Sequence, residues 1–433
     1  MKRRSFLKDI SIAAAGASII PLAAGCRGKR PNDLINIGMI GTGSHGVERN
    51  LKHYLKYPEL CRVVAVCDVS MSRATSAKNL VNNTYKNKDC KVFQDFRELL
   101  EQRSIDAVQI STPDHWHVPI SIMAALKRKH ICCEKPTLTI AEGRLLCNVL
   151  NKTGVVYQLS IEDRFLPVYH KMGEVVLNGR IGELKNIQIS LPIPQMPTQN
   201  LEITNPPDDL DYDLWLGPVP EIPFISARTF FNFRWHDAFA GGILTDWGTH
   251  YCDTAQLVSG SDSTGPVSIM PIGETLYYDD GIFNTAYQFE LLYRYQNGTT
   301  MTVKSGPGSD ASIRCEGDKG WIASVGWNNE LSASEEKITD LSQKQVNLPT
   351  GDDEFRDFLE KIRSGDKVVN TPEAGHRTSS LLHTGNIALK LNRKLDWDPV
   401  HERFVHDPEA DRFLKREMRG KWNYDKICPG YEY

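Results

Sequence analysis

The chain has 433 residues, enough for two domains and a sizeable core, and its 51 Lys+Arg against 54 Asp+Glu leave it close to neutral. Hydrophobic residues at 40% and charged residues at 24% are a globular mix, which excludes a disordered chain. Beyond the N-terminus no run of Lys and Arg is long enough to make a nucleic-acid face, so no nucleic-acid partner is expected.

The first 30 residues stand apart. In MKRRSFLKDISIAAAGASIIPLAAGC, Arg3-Arg4 precede an apolar run from Ile10 to Gly25. A spanning helix needs about 20 apolar residues, so this run is short for one. A charged start, a short apolar run and Ala23-Ala24-Gly25 before Cys26 have the layout of a twin-arginine-like export signal. Cleavage and lipidation at Cys26 are the expectation, although Ala23 stands where the lipoprotein pattern prefers Leu. The expected location is the periplasm, free or lipid-anchored to the membrane. Nine cysteines remain after Cys26, at irregular spacings and without paired Cys-x-x-Cys motifs, which supports neither a disulfide framework nor a zinc site. The twin-arginine route carries proteins already folded, so these thiols can have been buried reduced before export.

From Leu34 strands alternate with amphipathic helices. LINIGMIGTGSHGVERNLKHYL reads as strand, glycine turn and helix, and CRVVAVCDVS as a second strand. DCKVFQDFRELLEQ holds a short third strand and a helix, and IDAVQISTPDHWHVPISIMAALKRK reads as strand, loop and helix. HICCEKP is the fifth strand and TIAEGRLLCNVLNKTG the next helix. This alternation predicts an α/β protein whose residues 31–158 form a Rossmann-like doubly wound parallel sheet. Over 159–395 the pattern changes. A helix in PVYHKMGEVVLNGRIG and the strand ELKNIQISLP lead to mostly strands between Val267 and Val346, with hairpins at Asn297-Gly298 and Asp318-Lys319-Gly320. Helices return in DDEFRDFLEKIRSG and GHRTSSLLHTGNIALKLNRK. An α+β domain on a large open, mainly antiparallel sheet is predicted, then a C-terminal arm over 396–433.

Gly41-x-Gly43-x-x-Gly46, with Ser44 and His45 inside it, follows a strand and opens a helix, so a pyrophosphate can approach the backbone. Asp68 ends the second strand, where a carboxylate takes ribose hydroxyls and repels a 2′-phosphate; NAD is favoured over NADP. Ser111, Thr112, Pro113, His115 and His117 follow the fourth strand, beside the same crevice. Thr112 and Pro113 are placed against the cofactor; His115 or His117 either faces the nicotinamide or packs in the loop. Glu134-Lys135-Pro136 ends the fifth strand, where a proline can hold a cis bond and aim Lys135, a candidate for proton transfer. Asp246 and His250 lie four apart on one predicted helix, just after Gly241-Gly242. A histidine oriented by a carboxylate is a general-base arrangement, and a buried core pair is the alternative. A metal held by Asp246, His250 and His236 is a third option that lacks a further ligand at fitting spacing, and no metal is expected.

The ordered set Gly41/Gly43/Gly46, TPDHWH, EKP and GGILTDWGTHYCDTAQ resembles the Gfo/Idh/MocA family, named for glucose–fructose oxidoreductase, inositol dehydrogenase and a rhizopine-catabolism protein. The likeness runs from Leu34 to about Leu414, and the tail GHRTSSLLHTGNIALKLNRKLDWDP is similar to the family's exported branch. The resemblance implies a nicotinamide held by the first domain and a sugar or polyol between it and the second; free NAD is scarce outside the cytoplasm, so an exported enzyme is expected to hold its cofactor tightly. It implies a catalytic trio of Lys135, Asp246 and His250, with Asp246 orienting His250 or binding a neighbouring hydroxyl. Arg164 matches a substrate arginine that exported relatives carry after Gln-Gln, where this chain has Glu162-Asp163. Trp116, Arg234 and Trp235 are further candidates for sugar contact, since aromatic faces suit the C–H side of a pyranose. The expected activity is exported NAD-dependent oxidation or reduction of a sugar, glycoside or polyol hydroxyl, such as glycoside to 3-keto-glycoside. The alternatives are an NAD-dependent glycoside hydrolase working by transient oxidation and elimination, and a non-catalytic sugar-binding lipoprotein. A dimer or tetramer is expected through the open sheet.

Overall fold

The structure, a computed structural model, describes residues 34–194, 201–278 and 280–433, so the predicted export segment and Cys26 lie outside the described residues. Strands β1 (Ile35–Ile40), β2 (Cys61–Cys67), β3 (Lys91–Phe93), β4 (Ala107–Ile110), β5 (His130–Glu134) and β6 (Tyr157–Ser160) form one sheet. Its order is β3-β2-β1-β4-β5-β6, and every pair is parallel. The central strands are near-continuous apolar runs because helices cover both faces; Ile37, Met39, Ile110, Ile131 and Cys133 are buried. The helical segments Gly46–Leu51 and Lys52–Tyr54 make the first crossover, and helices α1 (Met71–Tyr85), α2 (Phe96–Leu100), α3 (Asp114–Leu126) and α4 (Ile140–Thr153) make the other four. The strand order reverses between β1 and β4, which opens a crevice at their carboxyl ends.

The second sheet holds β7 (Leu184–Leu191), β8 (Ser268–Pro271), β9 (Leu276–Tyr277), β10 (Ala286–Arg294), β11 (Thr300–Ser305), β12 (Ser312–Gly317), β13 (Trp321–Val325), β14 (Leu331–Ala333), β15 (Leu395–Asp398) and β16 (Arg403–Phe404). The order is β14-β13-β12-β7-β11-β10-β8-β15-β16, with β9 on β10. Only β7 and β11 pair in parallel; all other neighbours are antiparallel. Helices α5 (Pro167–Leu177) and α6 (Gly242–Val258) pack against it and bury Tyr251, Leu291, Tyr293 and Val303 in a common core.

Two segments cross back to the first sheet. Helix α7 (Glu354–Ser364) buries Phe355, Phe358 and Leu359 in the cluster that holds Ile35, Ile37 and Met39. In the C-terminal arm, Trp422, Tyr424 and Cys428 join the cluster of Ile110, Trp116 and Ile131. Helix α8 (Pro372–Leu391) joins the halves, with His383 Nε2 2.7 Å from the Thr137 carbonyl oxygen. All nine described cysteines are free and buried, and burial pushes their thiols up, as at Cys133, away from any thiolate chemistry at neutral pH. No described helix is long and apolar enough to cross a membrane.

Candidate active site

A cavity of about 930 Å³ opens at the crevice and runs under α6. One end is walled by the glycine turn, Asp68 and Arg73, the other by Lys135, Asp246 and His250. At the first end, Asp68 Oδ2 accepts hydrogen bonds from the Thr42 N–H (2.7 Å) and hydroxyl (3.2 Å), and Oδ1 accepts from the Ser70 N–H (2.9 Å). Burial raises its pKa against these bonds, and the carboxyl ties the turn to the end of β2.

The turn fits a dinucleotide. A Cβ on Gly41, whose φ is +89°, would lie 2.5 Å from the Ser111 carbonyl oxygen, and one on Gly46 would lie 2.3 Å from the Gly41 carbonyl oxygen. Those two glycines are required by the turn itself. Gly43 is different: the nearest atom to an added Cβ is an Arg73 guanidinium nitrogen at 3.5 Å, so its face is open to a close-lying pyrophosphate. Gly41→Ala is therefore expected to lower stability by about 1–3 kcal/mol, read from chemical denaturation. Gly43→Ala is expected to leave the denaturation midpoint in place and weaken NAD binding by roughly tenfold, about 1.4 kcal/mol, read by titration. Glu134 accepts from Asn50 Nδ2 (2.7 Å) and lies 3.2 Å from His45 Nε2. Burial would raise its carboxyl, but His45, Arg49 and Asn50 hold it down at about 2.

At the other end the Lys135-Pro136 bond is cis. Lys135 Nζ donates to Asp246 Oδ1 at 2.8 Å and to the Asp246 carbonyl at 3.0 Å. Arg234 Nε lies 3.4 Å from the same carboxylate oxygen. Burial opposes ionisation of Asp246, yet Lys135 and Arg234 hold it well below the usual carboxylate range. His250 sits one turn further along α6, and its Nδ1 is 2.7 Å from Asp163 Oδ2. Asp163 is 0% exposed, and its other oxygen accepts from the Trp327 indole N–H at 3.3 Å. Burial works against the imidazolium, but the Asp163 carboxylate outweighs it and the His250 pKa is raised. With Nδ1 engaged, Nε2 is the nitrogen left for a ligand. Glu162, Asp163 and His250 also bring possible metal-donor atoms within 4.8 Å. Two of the three are committed: Asp163 holds the imidazole, and Glu162 faces Arg49 at 3.2 Å.

Several sequence expectations are corrected here. Asp246 does not orient His250; the two share a helix face, but Asp246 pairs with Lys135 and Asp163 takes the imidazole. His115 turns away from this cavity and is buried with Nε2 2.9 Å from the Trp215 carbonyl, where desolvation lowers its pKa to about 3. His117 lines the cavity, but both ring nitrogens lie 2.8 Å from carbonyl oxygens, of Pro136 and Thr112, so it braces the two loops. Trp116 borders the cavity, but it is 3% exposed, donates to the Leu214 carbonyl at 3.0 Å and packs edge-on against Phe96 and Trp422, so most of its ring is committed to packing. Trp235 is buried in the second core and is not part of the wall. Arg164 is also absent from the wall, because its guanidinium is bidentate to both Asp253 and Asp262. Its substitution should act on stability: Arg164→Met leaves the buried Asp253 uncompensated and is expected to cost about 3–5 kcal/mol in denaturation, with kcat of the folded fraction unchanged. Ser44, Ser111, Thr112, Pro113 and Arg234 do line the cavity.

Trp247 and Trp327 flank His250, with ring centroids 6.0 and 5.6 Å away, and went unnoticed in the sequence, as did Asp163. Trp247 stands inside the Asp246–His250 motif and had a signal there. Trp327, in the turn after β13, had none.

The family model described as "Oxidoreductase family, NAD-binding Rossmann fold" matches residues 35–161, and "Oxidoreductase family, C-terminal alpha/beta domain" matches 195–424, more than half the chain by itself. The uncharacterized oxidoreductase ORF334 of Rhizobium meliloti is 33% identical over 36% of this chain and 45% of its own. The myo-inositol 2-dehydrogenase of Thermotoga maritima is 28% identical over 84% of this chain and 99% of its own. A glycosyl hydrolase family 109 protein of Stenotrophomonas maltophilia is 30% identical over 43% and 41%. Among solved structures, a levoglucosan dehydrogenase in complex with NADH and levoglucosan superposes with a TM-score of 0.63 at 18% identity, covering 84% of this chain and 99% of that one. A dinucleotide cradle at the topological switch point, together with the two domains that these models match, makes this chain a member of the Gfo/Idh/MocA family and an NAD(P)-dependent oxidoreductase.

Proposed function

We propose that the protein oxidises a hydroxyl of a sugar, glycoside or polyol, or reduces the matching ketone, with a nicotinamide retained through the cycle. The observation that carries this is the joint placement of Lys135 and His250 on one cavity wall, each fixed by its own carboxylate. When bound, the nicotinamide supplies the hydride acceptor or donor. His250 Nε2 takes the hydroxyl proton, and Lys135 hydrogen-bonds the same oxygen and offsets its developing negative charge. Asp246 keeps the ammonium aimed, and Arg234 is placed to meet a neighbouring hydroxyl. Trp247 and Trp327 offer aromatic faces beside the reacting carbon.

The dehydrogenase relatives support oxidoreduction, and the family 109 relative favours a second reading, glycoside cleavage through a transient ketone. Export rests on the Arg3-Arg4 segment and Cys26, and nine buried, unpaired thiols are compatible with folding before export. A retained cofactor suits that location, where free NAD is scarce. Assembly as a dimer or tetramer through the second sheet completes the proposal. The test is an absorbance and fluorescence spectrum of protein purified without added cofactor, before and after free sugars and 4-nitrophenyl glycosides. Bound nicotinamide that cycles with sugars supports the redox reading. Nitrophenol release without lasting reduction moves the assignment to hydrolase, and failure to bind nicotinamide sinks both.

A further inference from the structure

The wall of the large cavity between the glycine turn and the catalytic residues is not made by the first domain alone. Phe230, Phe231, Phe233 and Arg234 also line it, on the segment that leads into α6. The chain that carries them is tied to the first domain at Asp209. Its Oδ2 accepts from the Ser70 hydroxyl at 2.9 Å and the Ser72 N–H at 3.2 Å, and its carbonyl accepts from the Met71 N–H at 3.0 Å. Those three residues follow Asp68 directly after β2, so the tie lies at the cofactor end of the cavity.

Phe230 has a φ of +66°, a backbone region that a bulky residue adopts only when its surroundings hold it there. Its ring stacks on Arg73, whose guanidinium carbon lies 3.6 Å from the ring centre. The same guanidinium has a nitrogen 3.5 Å from the place of a Cβ on Gly43. Among the described residues Arg73 makes no hydrogen bond and no ion pair, yet it carries its charge on a cavity wall. A guanidinium can stack through its face and donate through its edge at the same time. With the face on Phe230, the edge is left for an oxyanion over the open side of Gly43, where the turn admits a pyrophosphate. Arg234 repeats the pattern at the other end of the segment. Its guanidinium carbon lies 4.6 Å from the Phe231 ring centre, and its Nε is 3.4 Å from the Asp246 carboxylate.

We propose that Arg73 and Phe230 form a clasp on the cofactor: Arg73 donates to the pyrophosphate while its face holds Phe230, so that a bound dinucleotide fixes the second-domain segment over the cleft and leaves slowly. This rests on the retained cofactor of the reading above and names the residues that retain it. Arg73 is the binding residue, and Phe230 is a positioning residue that acts through it. Neither takes part in hydride transfer.

The test follows release of labelled NAD from the loaded full-length protein into an excess of unlabelled NAD. Arg73→Met is expected to speed release about 10- to 100-fold, the effect of losing charge-assisted hydrogen bonds to phosphate. Phe230→Ala is expected to speed it roughly 3- to 30-fold, and Phe230→Tyr, which keeps the ring, to stay close to wild type. In the Arg73→Met background Phe230→Ala is expected to add nothing, because Phe230 acts through the guanidinium. A readout on the unaltered protein is hydrogen exchange over residues 229–235, expected to slow with ADP-ribose, which carries the pyrophosphate, and not with adenosine, which lacks it. Fully additive effects of the two substitutions would overturn the positioning role of Phe230. Release rates within twofold of wild type, with exchange indifferent to ADP-ribose, would overturn the clasp and leave the redox reading standing. If the wild-type protein itself lets NAD go as fast as it can be mixed, the retained cofactor falls and takes this inference with it.

Discussion

Lys135→Met is expected to lower kcat by about 10²–10³-fold while the protein still binds NAD. The size follows from preorganisation. The ammonium is held before any substrate arrives, by the Asp246 carboxylate at 2.8 Å and the Asp246 carbonyl at 3.0 Å, in a wall where its side chain is 13% exposed. A donor fixed in a poorly solvated site meets developing charge on the substrate oxygen without having to reorganise. Methionine keeps the stem and removes the donor. Lys135→Arg should not restore the rate, because Arg234 already reaches the same Asp246 oxygen and a planar fork cannot repeat the geometry of one ammonium. Stopped-flow absorbance of nicotinamide reduction measures the chemical step, and fluorescence titration shows that the cofactor is bound. A rate within tenfold of wild type would remove Lys135 from the chemistry.

What the sequence disclosed and what it hid divide along the range of the interactions. The glycine turn, the apolar strands and the residues at their carboxyl ends are local patterns, and a parallel sheet turns each strand end toward the same crevice. Ser111, Thr112, Lys135 and Gly43 could therefore be placed from spacing and the Rossmann frame. Residue type alone says much less about direction. An arginine near a predicted site and an arginine tied to two distant carboxylates look the same in sequence; Arg164 is the second kind, with partners 89 and 98 positions away. Trp116 and Trp235 went the same way, because large aromatics serve cores as readily as sugar surfaces. The four-residue spacing of Asp246 and His250 fixed their common face correctly but not their partners. Neighbours on a helix surface stand side by side, and across the cavity Lys135 and Asp163 offered better contacts. The amphipathic pattern of α7 likewise announces a buried face without saying that it is buried against the first sheet. Asp163 stayed hidden because it is local to neither motif: it leaves β6 and reaches α6 only in the folded chain.

Asp163→Asn should expose that hidden partner through an asymmetry between the two reaction directions. Oxidation of a hydroxyl needs neutral His250 as base, so in the wild type its rate climbs as pH passes the raised imidazole pKa. Reduction of a ketone needs the imidazolium as acid, so its rate falls over the same range. Asparagine can still hold Nδ1 in place but no longer carries the charge that raises the pKa. Burial and the Lys135 charge remain, and both lower it. The limb of the oxidation profile is then expected to move to acid pH. Reduction at neutral pH is expected to drop by about 10²–10³-fold, since almost no imidazolium is left to donate. Stability carries the same sign. A folded pKa raised above the unfolded value of about 6.5 contributes stability that is full below that value and lost as pH rises through the folded one. The variant should therefore lose stability relative to wild type at acid pH and approach it at alkaline pH. Paired pH–rate profiles for both directions, with Tm measured across the same range, give the answer. Equal losses in both directions with unmoved limbs would mean that Asp163 only supports the packing around Trp327, and that the proton chemistry of His250 is set elsewhere.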